Sequence, residues 1–315
     1  MFYQRSKYAM STVGILSAVV LAAVSGLATA RGNIYVANYL SGTSGSIGEY
    51  TNSGATINAS LISGLNNPDM VAVSGQNLFV GVYGDGSSGS GYISEYSTSG
   101  ALENSSLISN LSGPVGIAIS GSDLFVANYS AGTIGEYTTS GATVNADLIS
   151  GLSEPEMIAI SGNDLFVANR SGGTVGEYTT SGQTVNASLI SNLSDPYALA
   201  VSGSDLYVSG VGTPYGIGEY TTSGSTVDAS LINLGSTTPS LGLAILGSNI
   251  YATDYANPNG GISEYTTSGS TVNASLVTGL GEPVGIAVTP EPASLAIMGL
   301  AGSAALLVGR RRRLI

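Results

Sequence analysis

The side chains best suited to chemistry in this 315-residue chain are carboxylates and amides, because the sequence contains no histidine and no cysteine. Asp69 and Glu156 each follow a proline at the start of a strand-like segment, and Asn128 and Asn169 each end the segment that comes next. Carboxylate and amide oxygens are the ligands that Ca²⁺ prefers in proteins. The pattern therefore indicates a Ca²⁺ site built from these two carboxylates and two asparagines, and it indicates no catalytic residue.

The missing residue types exclude several classes of chemistry. Without cysteine and histidine the chain can form no disulfide, no structural zinc site of the usual ligands and no Ser-His or Cys-His nucleophile pair. From 31 to 291 it carries 20 acidic residues and only two basic ones, Arg31 and Arg170, a formal charge of −18. Such a surface repels phosphate groups, so we expect no nucleic-acid partner.

The dipeptide Glu-Tyr divides the middle of the chain into six repeats. It begins at positions 49, 95, 136, 177, 219 and 264, at intervals of 41 to 46 residues. Each repeat holds four short β-branched or aromatic runs separated by Gly, Ser, Asn and Asp, which is typical of four antiparallel strands joined by tight turns. These units predict an all-β fold, a six-bladed β-propeller of four-stranded antiparallel blades over residues 31–289.

The ends of the repeat region predict how the ring closes. The first repeat begins at Ile34 with the second type of strand, and its innermost strand is missing. A matching strand occurs after the last repeat as Gly285-Ile286-Ala287-Val288. We therefore expect this C-terminal strand to pair with the first blade and close the ring. A parallel β-helix is the alternative architecture, but its coils are shorter and need no such offset.

Positions that differ between the repeats identify a candidate site. The glutamates of the Glu-Tyr pairs lie on the third strand of every repeat, roughly 10 Å farther from the axis than the first strand, so we expect them to serve packing or hydrogen bonding. The residue after the proline of each innermost strand varies and is expected at the axial mouth. These residues are Asp69, Val115, Glu156, Tyr197, Ser240 and Val284.

Both ends of the chain have the composition of targeting segments. Two basic residues precede an uncharged run that ends in Ala28-Thr29-Ala30, the pattern of a signal-peptidase site, so residues 1–30 are predicted to be a signal peptide cut after Ala30. At the other end, the apolar run 293–309 is just long enough to span a bilayer and precedes four arginines. We expect a helical transmembrane segment there, with the C-terminus in the cytoplasm and the repeats outside.

The C-terminal tail resembles the PEP-CTERM sorting signal of Gram-negative bacteria. The matching elements are the tripeptide Pro290, Glu291 and Pro292, the hydrophobic segment, and the cluster Arg310, Arg311, Arg312 and Arg313. The resemblance assigns residues 290–315 to the signal. It implies processing by an exosortase-type enzyme near the tripeptide, and delivery to the cell surface, the outer envelope or the extracellular matrix.

The repeats themselves resemble the NHL family of propellers, best at Pro114–Asn128 and Pro283–Val288. Their layout is also similar to that of gluconolactonase-type hydrolases, six-bladed propellers that hold one axial divalent ion with carboxylate and asparagine oxygens. No motif carries the catalytic residues of those hydrolases onto this chain.

Together these features predict an exported, non-enzymatic binding or structural propeller of the cell surface or exopolysaccharide matrix. The expected partners are signal peptidase, an exosortase-type enzyme, the membrane through the C-terminal helix, and an exopolysaccharide or surface protein. The alternative is a Ca²⁺-dependent lactone or ester hydrolase in which Asp69 and Glu156 bind the metal.

Overall fold

A computed structural model describes residues 32–40, 44–85, 88–211, 215–236, 239–255 and 260–289. These residues form 24 β-strands in six four-stranded antiparallel sheets. The predicted signal peptide (1–30), the sorting signal (290–315) and its predicted transmembrane helix (293–309) lie outside the described residues, as does Arg31. Within the described ranges no helix is present that could cross a membrane.

Each sheet is one blade of the propeller, with its strands numbered along the chain. Blade 1 contains β1 (Asn33–Asn38), β2 (Gly45–Thr51), β3 (Thr56–Leu65) and the C-terminal strand β24 (Pro283–Val288). Blade 2 contains β4 (Pro68–Ser74), β5 (Asn77–Val82), β6 (Gly91–Ser97) and β7 (Leu102–Leu111). Blade 3 contains β8 (Pro114–Ser120), β9 (Asp123–Asn128), β10 (Thr133–Thr138) and β11 (Thr143–Ile149).

The other three blades repeat this order from the axis outward. Blade 4 contains β12 (Pro155–Ser161), β13 (Asp164–Asn169), β14 (Thr174–Thr179) and β15 (Thr184–Ile190). Blade 5 contains β16 (Leu199–Ser202), β17 (Asp205–Val211), β18 (Tyr215–Thr221) and β19 (Thr226–Ser236). Blade 6 contains β20 (Leu243–Leu246), β21 (Asn249–Asp254), β22 (Gly260–Thr266) and β23 (Thr271–Leu280).

The ring closes as the sequence predicts. Strand β24 pairs antiparallel with β1 through Ile34 opposite Val288 and Val36 opposite Ile286. Just beyond the strand, the backbone N–H of Thr289 donates to the carbonyl of Asn33 at 2.9 Å. The last strand of the repeat region therefore supplies the innermost strand of blade 1, which confirms a closed propeller and rules out the parallel β-helix.

The innermost strands meet closely at the axis because small residues stand beside large ones. At the equivalent position in the register of the six blades, the residues of blades 1 to 6 are Gly285, Met70, Gly116, Met157, Ala198 and Gly242. A Cβ on Gly116 would lie 2.2 Å from the carbonyl oxygen of Glu156, and one on Gly285 would lie 2.6 Å from the Cα of Met70. Only glycine allows this approach of neighbouring blades, which narrows the axis into a floor.

The recurring Glu-Tyr pairs have structural roles. In blade 1 the Glu49 carboxylate accepts hydrogen bonds from Asn33 Nδ2 at 2.7 Å and from the Tyr35 hydroxyl at 3.2 Å. The Tyr50 ring is buried and covers Gly48, where a Cβ would lie 2.8 Å from the ring. The glutamate thus links strands within a blade, and the tyrosine fills space between blades.

Candidate functional site

A cavity of about 350 Å³ is surrounded by all six blades at one end of the axis. Its inner wall consists of one residue from each blade, at the start of the innermost strand or within two residues before it. These residues are Asp69, Val115, Glu156, Tyr197, Leu241 and Val284. Its volume lies within the range of roughly 300 to 1,000 Å³ that is usual for pockets binding small molecules.

Blade 6 differs from the sequence prediction by one residue. The sequence places Ser240 at the mouth, but Leu241 lines the cavity there. The pairing of Leu243 with Ala252 matches that of Leu199 with Val208 in blade 5, so Leu241 is the counterpart of Tyr197. Ser240 is buried instead, and its hydroxyl donates to the carbonyl of Gly242 at 3.0 Å. The polar side chain expected in this blade is therefore replaced by an apolar one.

A second ring of cavity residues comes from the ends of the second strands, where sequence reasoning did not place a site. These residues are Tyr39, Tyr83, Tyr129, Arg170 and Tyr255. Four of them are fixed in the same way: their backbone N–H donates to the carbonyl of a residue with positive φ that lies just before the innermost strand of the same blade. The pairs are Tyr39 with Glu282 (2.9 Å), Tyr83 with Asn67 (3.0 Å), Tyr129 with Gly113 (2.9 Å) and Arg170 with Glu154 (3.1 Å).

The predicted ligands Asn128 and Asn169 lie immediately before this second ring and are buried in the blades. Their Nδ2 atoms donate to the hydroxyls of Thr133 and Thr174 at 3.4 Å, and no donor reaches either Oδ1 atom within the described residues. The cavity wall includes Asp69 and Glu156 but neither asparagine. The structure thus brings the two carboxylates to one cavity and leaves the two amides behind it.

Arg170 is the only lysine or arginine among the described residues, and it lies in this cavity. Its guanidinium is 3.6 Å from the Glu156 carboxylate and 3.9 Å from that of Asp195. It also donates to the Tyr129 hydroxyl at 3.3 Å and stacks 4.7 Å from the centre of the Tyr197 ring. We call these five residues, all from blades 3 to 5, the Arg170 cluster. Within this cluster the positive charge already has acidic and aromatic partners.

Burial changes the acidity of both cavity carboxyls. It raises the pKa of Glu156 to about 7, although the Arg170 guanidinium lowers that pKa in part. Burial, and to a lesser extent the negative charge of Glu156, raises the pKa of Asp69 well above its usual range. Each carboxyl therefore holds a proton more readily than it would in water, and Glu156 exchanges its proton near neutral pH.

The metal prediction receives no support from clustering of acidic residues. Across the described ranges, no three or more aspartates and glutamates are arranged to hold a metal ion. Ca²⁺ binding that involves Asp69 and Glu156 stays a prediction. What the cavity offers is an aromatic wall of five tyrosines, an apolar floor and two carboxyls of unusual acidity.

Comparison with known proteins supports the two main features of the chain. Residues 288–313 match the PEP-CTERM protein-sorting motif. This motif indicates export and surface sorting, and it implies processing by exosortase-type machinery. No curated protein is similar enough in sequence to count as a relative.

Solved propellers resemble the described fold. A chain in the crystal structure of a nidogen–laminin complex aligns with a TM-score of 0.66 and 16% identity, over 82% of this chain and 98% of its own. A Bacteroides fragilis protein provisionally assigned as a 6-phosphogluconolactonase aligns at 0.56 and 15%, over 82% and 98%. Its counterpart from Bacteroides uniformis aligns at 0.54 and 13%, over 82% and 100%. At such identities the similarity concerns the fold alone. The chain is a six-bladed β-propeller with a C-terminal PEP-CTERM sorting motif.

Proposed function

We propose that this chain is a binding protein of the cell surface or extracellular matrix, and that its axial cavity takes up a small molecule or one exposed unit of a larger polymer. The observation that carries this proposal is the distribution of sequence differences among the blades. Outer strands repeat nearly the same residues, such as Thr-Val-Asn-Ala in blades 3, 4 and 6, whereas the cavity positions differ in charge, size and aromaticity. A ring that served only as a scaffold would not need that variety at its axis.

The composition of the cavity favours binding of an organic ligand. Tyrosine rings supply large contact area at a small entropic cost, and their hydroxyls can also form hydrogen bonds. Five of the 18 tyrosines lie in this cavity, together with Arg170. Delivery to the surface, which the sorting motif indicates, would present this cavity to extracellular material.

Retention of extracellular polymer by the purified, immobilised full chain tests the proposal. We expect material from the culture medium to be retained, and the double variant Tyr83→Ala, Tyr197→Ala to retain at least tenfold less, since each lost aromatic contact removes roughly 1 kcal/mol. The control is Leu102→Ala, which removes an exposed side chain from an outer strand. Equal retention by the double variant and the wild type would place binding outside the cavity.

Glu156 gives a specific reason to keep a hydrolase as a second candidate. A carboxyl with a pKa of about 7 is suited to accept a proton from water at neutral pH. In that case the chain would hydrolyse lactones or simple esters, and Glu156→Gln would abolish the activity. Calorimetric titration with Ca²⁺ on the wild type and on Asp69→Ala tests the metal-dependent form of this candidate. Absence of both hydrolysis and Ca²⁺ binding would remove it.

A further inference from the structure

The two halves of the cavity differ in their charge balance. The Arg170 cluster occupies blades 3 to 5, and within it the guanidinium is paired with Glu156 and Asp195. The opposite half consists of Tyr39, Asp69, Tyr83 and Tyr255 from blades 6, 1 and 2, which we call the Asp69 subsite. No basic residue is present in this half among the described residues. Only one half of the cavity is therefore charge-compensated by the protein itself.

The carboxyl of Asp69 has no partner in the described part of the chain. No hydrogen bond or ion pair to it is found there, although the residue is only partly exposed and burial raises its pKa. A buried carboxylate without a partner is costly, so such groups are retained where a ligand or a proton compensates them. Asp69 also has a neutral neighbour at its equivalent position in blade 3, Val115, which shows that the fold does not need an acid there.

Three tyrosines share the electrostatic environment of this carboxyl. The pKa of Tyr39 is raised by burial and then by the charge of Asp69, with smaller effects from Tyr83 and Tyr255. Burial also raises the pKa of Tyr255, with smaller effects from Glu282 and Asp69. Such electrostatic effects on pKa require the tyrosine hydroxyls and the Asp69 carboxyl to lie close together. Aromatic rings around a carboxyl, together with the apolar side chains of Met70 and Val284, form the type of site that binds organic ammonium groups.

We propose that the Asp69 subsite binds an organic ammonium group, with Asp69 as its counter-ion and Tyr39, Tyr83 and Tyr255 contributing cation–π contacts. The proposal deepens the proposed function and rests on the cavity being a binding site. It selects this ligand chemistry because the subsite is acidic and aromatic and contains no basic residue in the described structure.

Two sources can present this chemistry outside a cell. One is an amino sugar within a polysaccharide, whose protonated amine would reach Asp69 while its ring packs on tyrosine. The other is a trimethylammonium group of the choline type, whose methyl groups would contact several rings at once. Both share the cation, and they differ in shape and in hydrogen-bonding capacity.

Calorimetric titration of the full chain with charged and uncharged ligand pairs tests the proposal. The pairs are choline with 3,3-dimethylbutan-1-ol and D-glucosamine with D-glucose. We expect at least one charged ligand to bind about tenfold more tightly than its uncharged counterpart, which corresponds to one ion pair with cation–π support. Preference for choline identifies the trimethylammonium source, and preference for glucosamine identifies the amino sugar.

Asp69→Asn should abolish the preference for the charged ligand. The matched control is Asp164→Asn, which removes the same charge at the far end of β13 from the cavity and should leave the preference unchanged. If Asp69→Asn does not fold, proton NMR of choline with the wild type gives an independent readout. Binding between tyrosine rings shifts the N-methyl resonance upfield.

Equal binding of charged and uncharged ligands, no binding of either charged ligand, or an unchanged preference in Asp69→Asn would each overturn the proposal. An N-methyl resonance that does not move would do the same for choline. The proposed function is tested separately, because retention of polymer that depends on Tyr83 and Tyr197 would stand even if no ammonium ligand binds.

Discussion

Replacing Glu156 by glutamine should change how the stability of the propeller depends on pH. In the folded protein the pKa of Glu156 is about 7, compared with an ordinary value of 4.5. Between these values the folded state binds more protons at this site than the unfolded state does. The free energy of unfolding therefore falls as pH rises from 4.5 to about 7. The full stabilising contribution of Glu156 is present only below its ordinary pKa of 4.5.

The size of the effect follows from the difference between the two pKa values. One pKa unit corresponds to 1.36 kcal/mol, so ionising Glu156 costs the folded state about 3 kcal/mol by pH 8. The side chain is only 18% exposed, so solvent screens little of this cost. The ion pair with Arg170 reduces the cost, and its contribution is already contained in the pKa of about 7. Glutamine has the same shape and does not ionise.

Urea unfolding of the full chain at pH 5 and pH 8 measures the effect. We expect the wild type to lose about 2.5 kcal/mol more than Glu156→Gln over this range, since a smaller part of the cost is already present at pH 5, and Glu156→Gln to be the more stable protein at pH 8. Asp69 remains in both proteins, and because the Glu156 charge contributes to its raised pKa, Glu156→Gln also lowers that pKa, which changes the slope in the same direction. The control Glu103→Gln changes an exposed carboxylate on an outer strand and should keep the wild-type slope. Identical slopes for the wild type and Glu156→Gln would refute the reasoning.

Three further perturbations test the ring and its tail. Gly116→Ala should destabilise the protein by about 1 to 3 kcal/mol in thermal melts, because the added Cβ would lie 2.2 Å from the Glu156 carbonyl oxygen. The control Gly172→Ala, whose Cβ would make only ordinary contacts, should be nearly neutral in the same measurement. Deletion of residues 284–288 should expose the edge of β1 and cause aggregation in size-exclusion chromatography, whereas a soluble monomer with an unchanged melting temperature would contradict ring closure. Neutral residues in place of Arg310 to Arg313 should impair C-terminal processing and retention, as measured by the mass and location of the mature protein, and normal trimming would count against the sorting assignment.

The sequence predicts the ring because the features that build it are local and repeated. Each blade is built from short strands that follow one another in the chain, apart from β24 of blade 1, so six Glu-Tyr pairs suffice to count the blades. The sequence also shows that the first repeat lacks its innermost strand and that one extra strand follows the last repeat. Closure by β24 therefore follows from sequence without any information on three-dimensional contacts.

Only part of the cavity lining could be predicted, since the side chains that reach the cavity from the strand ends depend on hydrogen bonds and strand pairing that the sequence does not state. Asn128 and Asn169 were expected at the mouth, but the residues that line the cavity are the next ones, Tyr129 and Arg170, whose backbone N–H groups donate to carbonyls just before the innermost strand of their own blade. The sequence does carry a signal for these cavity residues, since the position after the second strand is tyrosine in four of the six repeats. Leu241 was missed because the pairing of the strands, rather than the distance from a proline, sets its position.

A crystal structure of the full chain grown with choline, and a parallel one with D-glucosamine, tests most directly whether the axial cavity is the functional site. We predict ligand density inside the closed ring for at least one of the two, next to Asp69 and between Tyr39 and Tyr255, with the Arg170 cluster intact on the opposite side. Density found solely on the outer strands, or a ring that closes without Asp69 and Glu156 facing a common cavity, would contradict this account.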